Sequence, residues 1–256
     1  MKTFVYASDL HGDMQDHSAV EKLLSFCEDF KPDVRVFGGD VFDFRPLRKK
    51  AGVAERNESM MCDLEAGLEF LGKFQPNVLT LGNHDDRLWE ISRDHENGIL
   101  RDTAAAGVRS IEKKLRGFKC KIYQYGIPVN YKRGKKQRRP QGFYNLGDVV
   151  MCHGYFAGVY ATKKHAETFA PPGGICIHGH THAIQYHSIA RLGGGAGMSP
   201  GCLAQLDMPY NRRMPGRLIH AHGFCYGYVD GKDWQVFQAR KSESGKWIVA
   251  KNLEAI

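Results

Sequence analysis

At 256 residues, with 42% hydrophobic and 25% charged side chains, the chain has room for one large α/β domain. Its composition is that of a globular protein rather than a disordered or fibrous one. No apolar run approaches the ~18 residues needed to cross a bilayer. The short apolar stretch at the N-terminus lacks a small-residue cleavage site, so a signal peptide is not expected and a cytosolic location is.

The first 85 residues alternate between two periods. Residues 4–7 are apolar and strand-like, and residues 18–30 carry Val20, Leu23, Leu24, Cys27 and Phe30 at helical spacing. Pro32 breaks that helix. Residues 34–37 form the next expected strand, ending in Gly38-Gly39-Asp40. Residues 60–74 repeat the helical period, and residues 78–81 form a third strand ending in Gly82-Asn83-His84-Asp85. Strand, helix, strand, helix, strand predicts βαβ units and a parallel sheet, with polar residues just past each strand's carboxyl end, where sites in such sheets lie.

Residues 86–115 read as helical, with breaks at Gly98 and Gly107. The second half is richer in strands: 120–125, 149–152, 175–177, 184–189, 224–229, 235–239 and 247–250, with one helix over 157–169. The glycines of 193–197 read as a flexible loop, and a phosphate-binding role is weak there because no helix clearly follows. No repeat and no linker is visible, so residues 1–256 are read as a single domain. The seven cysteines are scattered, odd in number and form no C-x-x-C, which predicts reduced, buried thiols.

Five short motifs occur in order at strand ends or turns: Asp9-x-His11, Gly39-Asp40-x-x-Asp43, Gly82-Asn83-His84-Asp85, His153-Gly154 and Gly179-His180-x-His182. Singly each is weak. An N-H-D triplet can be a turn, and H-x-H can be a surface pair on one strand face. Together they offer carboxylate oxygens, imidazole nitrogens and an amide oxygen, a donor set for Mn²⁺, Fe or Zn²⁺. The absence of Cys donors argues against a structural zinc site. Two metals about 3.5–4 Å apart need a shared anionic ligand, and Asp40, in the middle of the set, suits that role.

These motifs resemble those of the calcineurin-like metallophosphoesterase superfamily over residues 1 to about 200. The resemblance implies an αββα sandwich: two facing mixed β-sheets flanked by helices. It implies two divalent ions, Mn²⁺ first, with Fe, Zn²⁺ or Ni²⁺ as alternatives. Asp9, His11 and His182 would hold one ion and Asn83, His153 and His180 the other, with Asp40 bridging. In the family a metal-bridging hydroxide attacks phosphorus in line, and His84 is the expected partner of the leaving oxygen. Asp85 is expected to orient His84, Asp43 to stand behind the ligands, and Arg87 to grip a phosphoryl oxygen or lie solvated on a helix. His178 is either a partner of the ligands or a buried strand residue. His220-x-His222-Gly223 imitates the fourth motif but follows the fifth, so a structural role is expected. His17, His95, His165 and His187 lack motif context.

Six basic residues, Lys132, Arg133, Lys135, Lys136, Arg138 and Arg139, fall within positions 132–139, so most of the net charge of +8 is one local feature. The segment of about 130–143 reads as a loop or hairpin insertion, either solvated or a basic arm that attracts polyanions. Arg212, Arg213, Arg217, Lys163 and Lys164 add basic character. The expected substrate is a phosphate monoester or diester, with a nucleotide or nucleic acid as candidate partner and no membrane insertion. The stretch Gly39-Asp40-Val41-Phe42-Asp43 also resembles the bacterial UDP-diacylglucosamine pyrophosphatases, though no clear amphipathic helix for a lipid substrate is seen. From a different class, a non-catalytic scaffold such as the retromer subunit of this fold, or a nucleic-acid-binding module, is the alternative. Every ligand position and His84 are filled, which favours an enzyme.

Overall fold

The computed structural model describes residues 1–49, 51–126, 142–208 and 218–250. In chain order these form β1 (Lys2–Ala7), α1 (His17–Phe30), β2 (Val34–Phe37), α2 (Val53–Arg56), α3 (Met60–Phe74), β3 (Val78–Thr80), α4 (Asp85–Arg93), α5 (Gly98–Gly117) and β4 (Lys121–Tyr123). Then follow β5 (Phe143–Leu146), β6 (Val149–Cys152), α6 (Ala161–Phe169), β7 (Ile175–His178), β8 (Ile184–Ser188), β9 (Ala196–Pro200), β10 (Gly223–Asp230), β11 (Asp233–Lys241) and β12 (Trp247–Ile248).

Two mixed sheets result. The larger has the order β12-β11-β10-β1-β2-β3-β4, the smaller β5-β6-β7-β9-β8. β1 to β4 are mutually parallel, as are β6, β7 and β9. Strand alternation assigns the layers. Phe4, Tyr6, Val36 and Val78 of the larger sheet meet Val149, Met151, Ile175 and Ile177 of the smaller in one buried cluster. Their neighbours Val5, Ala7, Phe37 and Leu79 face outward onto α1, α3 and α5. Val150, Cys152 and Cys176 face outward under Phe169 of α6. Both faces of the central strands are therefore covered, which is why they read as unbroken apolar runs. The Tyr6 hydroxyl crosses between the sheets to donate to the Cys152 carbonyl at 2.7 Å. No helix among the described residues is long and apolar enough to cross a membrane.

Local signals set the boundaries. Asp16 caps α1 by accepting from the Ala19 amide, and Lys31 ends it in a left-handed turn. The stretch expected to be one helix with breaks is two helices. Asn97 caps α5 by accepting from Ile99 and Leu100, whereas Gly107 lies inside α5. A Cβ at Gly107 would stand 3.3 Å from Leu88, so glycine there serves the close packing of α4 on α5 instead of a break. The glycine loop is shorter than expected because β9 begins at Ala196 and pairs with both β7 and β8. Five of the seven cysteines are buried, while Cys62 is exposed. Most of the expected basic insertion, including residues 132–139, lies outside the described residues, as do Arg212, Arg213 and Arg217.

Under α6, His165 and His178 stack with ring centroids 3.8 Å apart. His165 accepts from the Tyr155 amide at 2.8 Å and pairs with the Ala161 carbonyl at 2.8 Å. Burial lowers its pKa to about 4, below the ~6.5 of an exposed imidazole. Between those values the unfolded chain binds the extra proton, so this stability is complete above pH ~6.5 and is lost as pH falls towards 4. The expected result is that urea unfolding shows a smaller loss of stability from pH 7 to pH 5 in His165→Asn than in the wild type, despite a lower starting stability. Equal losses would show that the buried imidazole is not the source.

Candidate metal centre

Each expected ligand sits just past a strand's carboxyl end: Asp9 and His11 after β1, Asp40 after β2, Asn83 after β3, His153 after β6, and His180 and His182 after β7. Parallel pairing brings these ends together. The loop after β1 is stitched to the loop after β2 by Asp9, Leu10, His11 and Gly12 amides donating to the Gly39, Asp40 and Val41 carbonyls at 2.8–3.0 Å. The chain must turn sharply to aim these side chains inward. Asp9, His11, Asp40, His180 and His182 all hold positive φ, between 52° and 69°. That conformation costs on the order of 1 kcal/mol for each residue, and Asp and His bear it better than bulky or branched ones.

The donor atoms converge in two overlapping groups. Asp9 Oδ1 lies 3.4 Å from His182 Nε2, which lies 3.1 Å from His11 Nε2. Asp40 Oδ2 lies 3.2 Å from His153 Nε2, which is 3.1 Å from Asn83 Oδ1, and His180 joins Asp40 and His153. Asp40 Oδ2 is also 3.9 Å from His11 Nε2, so this carboxylate stands between the groups. Ligands about 2.0–2.2 Å from a shared ion are about 3–3.5 Å apart, the spacing seen here. All the donors are nitrogen or oxygen, which fits a divalent ion of the Mn, Fe or Zn type. The residues present thus fit the metal centre expected from the sequence.

The electrostatics are those of a buried anion set. Burial raises the Asp9 pKa, but the adjacent His182 outweighs it and holds the carboxyl at about 2. Burial likewise opposes ionisation of Asp40, and His153 and His84 drive it well below the ordinary range. Burial lowers the His153 pKa, yet the Asp40 carboxylate carries it up to about 9. His180 moves the other way, to about 4, through burial and the repulsion of His153. The two carboxylates are therefore ionised, and cation binding here displaces protons from imidazole.

One expected role differs from the geometry. Asp85 is not the partner of the His84 ring. Its oxygens accept from the Asp40 amide at 2.7 Å, Gly82 at 2.9 Å and Phe42 at 2.9 Å, which clamps the loop after β2 to the loop after β3. The His84 ring instead pairs through Nδ1 with Asp43, and its Nε2 lies 4.0 Å from Asp40. Asp43 also stands 3.5 Å from His11 Nδ1. Burial opposes its ionisation, and the adjacent His11 and His84 rings hold its pKa well below the carboxylate range. His178 faces away from the cluster. Strand alternation puts it on the outer side of β7, bonded to Thr162 at 2.9 Å and stacked on His165. Arg87 donates to the Asp43 carbonyl at 2.8 Å, which sets its guanidinium beside the site.

Two residues were not singled out by the sequence, and a third, His220, was expected to be structural. Asp63 of α3 accepts from the Asp43 and Phe44 amides at 2.7–3.2 Å. A carboxylate on the buried stripe shared with Gly67, Phe70 and Leu71 was the available signal. Arg45 binds Asp13 with both terminal nitrogens and Glu58 at 2.6 Å, and lies 3.4 Å from Asp43. His220 brings its ring to 5.0 Å from that of His182.

A family model for calcineurin-like phosphoesterases matches residues 2–184. No curated protein of established function matches the sequence. Among solved structures the chain is similar to the phosphoesterase YfcE of E. coli, at 14% identity and a TM-score of 0.46, covering 96% of this chain and 97% of that one. It is also similar to Vps29 of Chaetomium thermophilum (10%, 0.45, 98% and 95%) and to zinc-complexed Vps29 of Entamoeba histolytica (9%, 0.44, 96% and 96%). The family match, the facing mixed sheets and the Asp/His cluster define a calcineurin-like αββα sandwich. The chain belongs to the calcineurin-like phosphoesterase family.

Gly82 offers a test of the cluster. A Cβ there would stand 2.0 Å from Asp40 Oδ1 and 2.5 Å from the Asp40 amide, whereas one at Gly52 meets nothing within 4 Å. Metal analysis of dialysed protein should show bound divalent metal falling by about half or more in Gly82→Ala, through the loss of Asp40 geometry. Gly52→Ala should be unchanged, and both should keep wild-type circular dichroism. Full metal retention in Gly82→Ala would remove Asp40 from the ligand set.

Proposed function

We propose that this chain, acting as one catalytic unit over residues 1–256, hydrolyses phosphate esters with two divalent ions. Asp9, His11 and His182 hold one, Asn83, His153 and His180 the other, and Asp40 both. The observation that carries this reading is the Asp40 carboxylate standing between two groups of donors at ligand spacing. Such a pair of ions lowers the pKa of water towards about 7 and offsets charge on the phosphoryl oxygens.

The chain's own residues supply the rest. The Asp85 clamp and the stitched loops fix the donors before substrate arrives, which saves reorganisation during reaction. Asp43 holds the His84 ring by Nδ1, leaving Nε2 toward the cluster to give a proton to the leaving oxygen. Arg87, anchored on the Asp43 carbonyl, adds positive charge on that side, suited to a phosphoryl oxygen. The fully buried floor of Asp9, His11, Asp40 and His153 excludes bulk water from the ligands.

A nucleotide or nucleic acid is the proposed substrate class, supported by the net charge of +8 and the basic run at 132–139. Mn²⁺ is the proposed ion.

After metal stripping, Mn²⁺ should restore hydrolysis of p-nitrophenyl phosphate or bis-p-nitrophenyl phosphate, and the ratio of the two separates monoesterase from diesterase. Asp40→Asn should lose activity with its metal. His84→Ala should keep the metal and lose kcat by about 10²–10⁴-fold, the range for a general acid. Asp43→Asn should fall by about 10–100-fold, the usual effect of losing an outer partner. A folded, metal-loaded wild type without turnover on either ester or on oligonucleotides would overturn the enzymatic reading.

If the substrate is a nucleic acid, affinity of metal-loaded protein for a single-stranded oligonucleotide should fall steeply between 50 and 200 mM salt, since each neutralised phosphate releases counterion. Replacing the six basic residues of 132–139 by Gln should flatten that slope. Affinity that is absent, or indifferent to salt, would exclude nucleic acid.

A further inference from the structure

Arg45 follows Asp40 by five residues in the loop after β2, and no step of the proposed reaction uses it. Its neighbours in sequence explain where it goes. Phe42 and Phe44 stack at 5.1 Å inside the core, and Asp43 and Arg45 turn instead toward the loop after β1. Arg45 is buried, and a buried guanidinium is unfavourable unless acceptors surround it. Nε donates to Glu58 at 2.6 Å, and Nη2 and Nη1 donate to the two oxygens of Asp13 at 2.8 and 2.9 Å. These bonds fix the plane of the fork. Nη1 has a second N–H, and Asp43 Oδ2 lies 3.4 Å from that nitrogen.

The two oxygens of Asp43 therefore have different partners. Oδ1 pairs with His84 Nδ1, and stands 3.5 Å from His11 Nδ1 and 3.8 Å from Arg87. Oδ2 faces Arg45. The backbone of Asp43 is held as well, since its amide donates to Asp63 at 3.0 Å and its carbonyl accepts from Arg87 at 2.8 Å. With the peptide groups on both sides fixed, the freedom left to Asp43 is rotation of its carboxylate. A buried carboxylate oxygen without a donor is costly. Without Arg45, the group gains by turning Oδ2 toward another donor, which takes Oδ1 off the His84 ring.

We propose that Arg45 is a positioning residue for the leaving-group step: it holds Asp43 with Oδ1 toward His84 and so keeps His84 Nε2 aimed at the cluster. Asp13 and Glu58 fix the guanidinium, and Arg45 acts through Asp43. A chain of side chains thus runs from the surface carboxylates to the ring that serves the leaving oxygen. This inference rests on the phosphoesterase reading above and on the role given there to His84.

The test uses the full chain and compares wild type, Arg45→Met, Arg45→Lys, Glu58→Gln, His84→Ala and the Arg45→Met/His84→Ala double variant. The measurements are metal content, kcat for phenyl and dinitrophenyl phosphate with Mn²⁺ (or the corresponding diesters, if those are what the wild type hydrolyses), and proton NMR of the Zn²⁺-loaded protein. Phenolate leaves poorly and depends on a proton donor, whereas dinitrophenolate leaves with little help. In Arg45→Met the ratio of the phenyl to the dinitrophenyl rate should fall by about tenfold, the usual scale for losing an outer partner, with metal retained. In the His84→Ala background Arg45→Met should change that ratio no further. Arg45→Lys, which keeps the charge without the fork, should recover part of it. A downfield Nδ1–H resonance, assigned to His84 by its loss in His84→Ala, should move upfield or broaden in Arg45→Met. A wild-type ratio and resonance in Arg45→Met would overturn the proposal. So would an equal loss on both esters together with loss of metal, which would make Arg45 structural. If Arg45→Met does not fold, Arg45→Lys and Glu58→Gln decide: the ratio should fall in both, and a wild-type ratio in both overturns the proposal. If the metal-loaded wild type turns over no ester, the phosphoesterase reading fails, and the resonance alone decides whether Arg45 positions the ring.

Discussion

The centre depends on one constraint: side chains from several separate loops must reach a common point immediately after their strands end. Little chain is available for the turn, so the backbone enters the left-handed region at once. Among the described residues nine non-glycine positions have positive φ, and five are expected ligands, Asp9, His11, Asp40, His180 and His182. Such strain persists only where the surroundings over-determine it. Here the surroundings are specific. Asp85 accepts three amides, from Asp40, Phe42 and Gly82, and Asp63 accepts those of Asp43 and Phe44. These buried carboxylates hold the loops in shape. Gly39 and Gly82 allow the approach, since a Cβ on Gly39, at φ +90°, would stand 2.5 Å from the Gly82 amide nitrogen.

Much of this was legible in the sequence, for identifiable reasons. β1, β2, β3, β6 and β7 are covered on both faces, so they show as apolar runs ending abruptly in polar residues. That abrupt change is the signature of the candidate site, because the expected ligands occupy those ends. β9 was hidden because Ala196-Gly197-Met198-Ser199-Pro200 continues a glycine-rich stretch. It is a strand because tertiary pairing to β7 and β8 overrides its weak local preference. Gly107 misled in the opposite sense. Inside α5 its absent side chain serves the contact with Leu88, a fact that only the neighbouring helix explains.

The roles of individual carboxylates were less legible than their membership. Sequence adjacency put Asp85 behind His84, but a residue that follows another into a helix start points away from its neighbour's ring. Asp85 turns to the loop amides, and Asp43, 41 residues earlier, reaches the ring. His220 posed the same difficulty. Motif order argued against it, and only the bridge between Ala183 and His220 brings it beside His182. Motif spacing reports what is local to each loop, whereas these contacts depend on which loops the sheets place together.

The buried aspartates follow a common physical rule with opposite outcomes. Burial raises every one of them. Asp63 and Asp85 meet amide dipoles and other carboxylates, and their pKa values rise to about 6 and about 8. Asp9 and Asp40 meet imidazoles, and theirs fall below the ordinary range. Asp43 takes its backbone support from Asp63 and its charge partners from His11 and His84, and it falls too. Ionisation is therefore favoured where the histidines converge and opposed in the scaffold behind them. The separation follows from geometry: an imidazole can share its charge with a carboxylate, while a peptide amide offers only a partial dipole. A cation entering the centre would meet the ionised oxygens of Asp9 and Asp40. The same fold that strains the backbone at the expected ligands thus also sorts identical side chains into those that face the histidines and those that hold the loops.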